Sequence, residues 1–141
     1  RILDVKFHVL LQPDAVGGEV DYHHWQSILR AVSALRAYHW VYHERLRPWL
    51  VAELLILRPE MPRSLLACCT QVSDALDRLA EVHGGKRGEC HRRAGELHAR
   101  LRYGRIDTIF QAGLHEFLTD FIDQLEVLGE DIGACYLAAA A

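Results

Sequence analysis

The grouping nearest to acid–base chemistry in this chain is His115-Glu116, followed by Asp120 and Asp123. Glu116, Asp120 and Asp123 recur at i, i+4 and i+7, so a helix lines three carboxylates along one face. Histidine is the side chain suited to proton transfer near neutral pH, which makes His115, Glu116 and Asp120 the acid–base or interaction candidates. Nothing in the sequence supplies a nucleophile or an oxyanion donor beside them. A solvated or docking face is therefore the preferred reading over catalysis, and no residue is assigned a catalytic role.

Nine histidines invite a metal hypothesis. His39 and His43 share a helix face and Glu44 follows them, but zinc proteases need the glutamate inside the pair. Ferritin-like di-iron centres need Glu-x-x-His on two helices, and that order does not occur. Cys90-His91 lies near His83 across a glycine-rich loop, with a spacing that matches no zinc pattern. Neither a metal nor any other cofactor is expected. Gly84-Gly85-Lys86-Arg87-Gly88 has a superficial likeness to a phosphate loop. It joins two helical patterns and lacks the Ser or Thr after Lys, so it reads as a flexible connector. Trp25, Tyr38, Trp40, Tyr42 and Trp49 could stack on a ligand. At helical spacing they read better as core or helix–helix interface, some of them exposed because the chain looks incomplete.

The charges are segregated. Residues 83–105 carry seven basic and two acidic side chains, and residues 106–141 carry seven acidic and no basic ones. The basic stretch could track a nucleic-acid backbone. The preferred reading is that two consecutive helices, joined at Gly104, pack antiparallel and neutralise each other. The whole-chain net charge of -3 also disfavours a nucleic-acid partner.

The elements that must position these residues are helices. The chain has 141 residues, half of them hydrophobic and a quarter charged, which fits a single globular domain. Arg1–Leu11 has Leu3, Phe7, Leu10 and Leu11 on one helical face. Gln12–Val20 reads as a loop, and Asp21 as a cap for a helix carrying Trp25, Ile28, Leu29 and Val32. Helix continues through Tyr42 with an adjustment near Ser33. Pro48 opens a helix to Leu57, and Arg58–Pro62 breaks it. From Pro62 a long helix carries Leu65, Leu66, Cys69, Val72, Leu76, Leu79 and Val82 inward. Glu89–Tyr103 is helical, with Ala94, Leu97 and Leu101 inward and Gly104 closing it. Ile106 to Ile132 holds the helical period over seven turns. The expected architecture is all-α, a bundle of about six helices with a long amphipathic C-terminal one. A straight helix from Arg105 to Ala140 would measure about 54 Å, against a domain diameter of roughly 37 Å. It must bend near Gly113 or Gly129, or overhang.

The longest apolar runs, such as Leu54–Leu57, fall far short of the roughly 20 residues that cross a bilayer, so no membrane partner is expected. No signal peptide is visible, because Asp4, Lys6 and His8 interrupt the first apolar stretch. The four cysteines, two of them adjacent at Cys68-Cys69, read as reduced thiols of a cytoplasmic protein. The first residue is Arg, which points to a fragment or a trimmed chain.

Several segments, taken in order, resemble a known family. They are Arg1–Leu11, Gly17-Gly18, Asp21-Tyr22 with Trp25, Ser33-Ala34 with Ala37-Tyr38, Val51–Glu53 with Leu55–Leu57, and Pro62–Ser64. The end matches best: Arg100-Leu101, Tyr103, Arg105-Ile106, Ile109-Phe110 and Gly113–Asp120. Together they resemble the second half of the bacterial Alpha-E domain family, helical proteins with a Glu-Arg motif. By this resemblance the motif precedes Arg1, and Glu44-Arg45 sits elsewhere in the pattern. Residues 1–141 would then be one helical domain, the C-terminal half of a longer Alpha-E domain. The resemblance implies action beside a circularly permuted ATP-grasp ligase and a transglutaminase-like peptidase, in peptide synthesis or modification. A non-catalytic accessory module follows from this. The alternative it leaves is an enzyme whose acid–base site, His115 and Glu116, is completed by the upstream half.

Overall fold

The structure is a computed structural model that describes residues 19–137. The helix expected over Arg1–Leu11 lies outside the described residues. Among the described residues there are seven α-helices and no strand: α1 Glu19–Ala31, α2 Leu35–Tyr42, α3 Pro48–Ile56, α4 Leu65–Val82, α5 Glu89–Arg102, α6 Ile106–Ala112 and α7 Leu114–Ile132, with a π-helical turn at Gly133–Leu137. None of them is long and apolar enough to cross a membrane. Asp21 is the third residue of α1 and not its cap.

The adjustment expected near Ser33 is a full break. Ser33 takes φ 57°. The Ala34 N–H reaches the Leu29 carbonyl at 2.7 Å and the Ser33 N–H reaches the Arg30 carbonyl at 3.0 Å, the paired bonds of a Schellman stop. Ala34 is fully buried, so the chain turns on a tucked-in apolar residue. Tyr38 is the buried residue of α2. Its hydroxyl donates to the Arg45 carbonyl at 2.8 Å and accepts from the Arg47 N–H at 3.1 Å, which fastens the loop that leads to Pro48.

Helix α3 is apolar except for Glu53, and Val51, Ala52, Leu54, Leu55 and Ile56 are buried. Such a helix belongs at the centre of a core, and it packs against α1, α2, α4 and α6. The turn after it delays α4 to Leu65, where the buried Ser64 hydroxyl accepts from the Ala67 N–H at 3.1 Å. The expected α4 stripe holds in its first part. Leu66, Cys69 and Leu76 are buried, whereas Leu79 is partly and Val82 strongly exposed, at 81 %. Ala80 takes the inward position of the last turn.

The long final helix is two helices. Gly113 has φ 99° and ψ 116°, a conformation that only glycine adopts without strain. The Glu116 carboxylate fills the space above it: a Cβ on Gly113 would stand 2.0 Å from Glu116 Oε2. The break turns α6 back onto α3 and leaves α7 to pack on α5. It also resolves the length conflict, since neither piece exceeds the 19 residues of α7.

Candidate functional site

Helices α5 and α7 lie antiparallel. Arg93, early in α5, meets Asp131, late in α7, at 2.6 Å, and Arg100, late in α5, meets Asp120, early in α7. Arg92 is held by Glu89 and Glu96 on its own helix, Arg105 by Asp107 at 3.0 Å, and Arg87 by Asp77 of α4 at 3.0 Å. The basic stretch is thus largely consumed inside the fold. Glu89 and Asp107 are both held below the usual carboxylate range, first by the guanidinium hydrogen bonds from Arg92 and Arg105.

The three acid–base candidates have different surroundings. His115 is half-buried at the start of α7. The Glu116 tip folds back over Gly113, and the Asp120 carboxylate is taken by Arg100. Glu116 therefore shapes the α6–α7 break and Asp120 ties α7 to α5.

His39 and His43 lie exposed on α2 and its C-terminal cap, with Glu44 turned to Arg47 at 3.3 Å. The dipeptide Glu44-Arg45 belongs to the loop between α2 and α3, and the Arg45 carbonyl serves Tyr38. Among the described residues, no group of three or more His, Cys, Asp or Glu is placed to hold a metal.

His91 has several hydrogen-bond neighbours. Gly88, which precedes α5, donates its N–H to His91 Nδ1 at 3.2 Å. Nδ1 is then the acceptor nitrogen, and Nε2 carries the proton toward the Leu76 carbonyl at 3.0 Å. The ring closes the open end of α5 and ties it to α4. The Tyr136 hydroxyl stands 3.3 Å from Nε2, and the Tyr136 ring also meets His83 edge-on at 5.2 Å. Sequence spacing put Cys90, His91 and His83 near one another. It carried no signal that Cys135 and Tyr136 join them from the π-helical turn.

The aromatic cluster divides. Trp25 and Tyr38 are in the core. Tyr42 donates to Glu53 at 2.7 Å, and its hydroxyl pKa is raised, mainly by burial and then by that carboxylate. Trp49 lies under the Arg47 guanidinium. Trp40 projects from α2 with 85 % of its surface exposed. Around it Arg36, Ala37, His39 and His43 line a broad open depression. A second cleft, of about 210 Å³, runs between α4 and α5 past Ser73, Asp77, Arg87 and His98. Periodicity marks Trp40 as one more helical aromatic, and only the packing shows that it faces outward.

Comparison with known proteins agrees with an all-helical chain. The family model Alpha-E, described as a predicted alpha-helical domain with a conserved ER motif, matches residues 1–137. No curated protein and no solved structure matches the chain.

Proposed function

Since this chain belongs to the Alpha-E family, we propose that it is a non-catalytic helical accessory module that docks a circularly permuted ATP-grasp ligase, alongside a transglutaminase-like peptidase, in peptide synthesis or modification. The observation that supports docking is Trp40. A tryptophan exposed to 85 % on an open shelf is the residue type that most often anchors an interface. The helix that carries it is bracketed by two non-glycine residues with left-handed φ, Ser33 at 57° and His43 at 52°. Each such residue costs roughly 1–3 kcal/mol, and together they fix the direction in which the short α2 presents its indole. Glu116, Asp123 and Glu130 add an exposed acidic row on α7, suited to a basic partner surface.

The test is titration calorimetry of the full chain with a purified circularly permuted ATP-grasp ligase. Binding is expected, with a loss of about thirtyfold or more in Trp40→Ala, the size of an interface anchor. The far-UV spectrum should stay unchanged, because the indole packs on little. Absence of binding, or equal binding by Trp40→Ala, would overturn the docking reading. Turnover of a peptide by the chain alone would overturn the non-catalytic one.

A further inference from the structure

Cys90 and Cys135 are 45 positions apart in sequence, and the fold brings Cys135 to the start of α5, where Cys90 lies. Cys90 is the second residue of α5 and is fully buried, while Cys135 is half-buried on the π-helical turn. The Cys135 thiol stands beside the Cys90 thiol and interacts with it. Cys135 Sγ also lies so close over Gly88 that a Cβ there would stand 2.9 Å from it. Cys90 Sγ is 3.4 Å from His91 Nδ1 at the helix start. Two neighbouring thiols, one reachable and one at a helix N-terminus beside an imidazole, are the parts of a dithiol–disulfide couple.

We propose that Cys90 and Cys135 form a reversible oxidation site whose reagent is a small-molecule disulfide. Cys135, the accessible thiol, attacks as the thiolate. One sulfur of the reagent joins Cys135 as a mixed disulfide and the other leaves as a thiolate. Cys90 then attacks the Cys135 sulfur, forms the internal disulfide and expels the second small thiolate. The protons of the two protein thiols end on the two small thiols, so two electrons pass from the protein to the reagent. Burial, followed by the hydrogen bond and charge of Cys135, pushes the Cys90 thiol up to about 11. Capping Cys135 removes the second and third of those causes, so the first step activates the second. The closed disulfide fastens the π-helical turn to the start of α5, with Tyr136 held over His91 and His83.

The full chain, fully reduced in a Cys68→Ser background, is incubated with oxidised glutathione, trapped with iodoacetamide and mapped by mass spectrometry. The expected product has lost two hydrogens, carries no glutathione and yields a peptide linking Cys90 to Cys135. Its Tm rises by about 5–15 °C over the reduced chain, as expected for closing a loop of this length. Cys90→Ser should instead stop at a stable glutathione adduct on Cys135. If the Cys68→Ser chain ends with Cys90 and Cys135 both alkylated, or with a lasting adduct on either, the proposal fails. That result needs no variant at the thiols themselves, so a misfolded Cys90→Ser could not mask it.

Discussion

Replacing Gly113 with Ala probes the break that divides the last 27 residues of helical pattern, Ile106 to Ile132, into α6 and α7. Two costs add. At φ 99° and ψ 116° an alanine lies outside the left-handed well centred near +57°, +47°, so the upper part of the roughly 1–3 kcal/mol range for such strain applies. The new Cβ would also stand 2.0 Å from Glu116 Oε2 and 2.8 Å from its Cδ. That tip is exposed and can swing away, which forfeits only its interaction with the α7 N-terminus, about 0.3–1 kcal/mol. The total is about 2–4 kcal/mol, or a fall in Tm of about 6–20 °C for a domain of this size. Urea unfolding followed by circular dichroism measures it. Glu116→Ala alone should lose no more than about 1 kcal/mol, and Gly113→Ala with Glu116→Ala should stay as unstable as Gly113→Ala, because the backbone strain remains. A Gly113→Ala chain within about 0.5 kcal/mol of the parent, with equal or higher helicity, would refute the reasoning. It would show that α6 and α7 fuse into one helix without losing the contact of α6 with α3.

Three further outcomes are expected. Tyr38→Phe removes a buried hydroxyl that serves the Arg45 carbonyl and the Arg47 N–H, and should cost about 1–3 kcal/mol in urea unfolding; a neutral result would mean that water satisfies both groups. Ser73→Ala removes a buried hydroxyl that has no hydrogen-bond partner among the described residues and improves helix propensity, so stability should rise by about 1 kcal/mol, and a loss in thermal unfolding would contradict this. The Glu89 carboxyl is held below its ordinary value of 4.5, chiefly by the Arg92 hydrogen bond. A lowered folded-state pKa gives stability that is complete above the unfolded value and fades as pH falls through the folded one. The urea midpoint should therefore drop on acidification below about pH 4.5, and less steeply in Glu89→Gln; identical slopes would remove Glu89 from the acid limb.

The sequence determined the helical class, because a 3.6-residue period depends only on neighbours along the chain. It likewise fixed the start of α3 at Pro48 and the inward positions Ala94, Leu97 and Leu101 of α5, which the structure buries. The antiparallel pairing was legible as a charge pattern, +5 against -7, although the partner of α5 is α7 and not the consecutive helix α6 that follows Gly104. The local pattern misplaces the cap at Asp21, and leaves the break in the C-terminal pattern open between Gly113, Gly129 and an overhang, for one reason. A local pattern says which residues favour helix, but not where the surrounding core makes the chain stop. Only packing settled that Gly113 breaks the final pattern, that α4 turns Leu79 and Val82 toward solvent, and that Trp40 points outward while Tyr38, two residues earlier, is buried. The meeting of Cys90 with Cys135 and of His91 with Tyr136 also came from tertiary structure alone. Those pairs are 45 residues apart, and a contact across that separation depends on how every intervening helix packs, which no local spacing encodes.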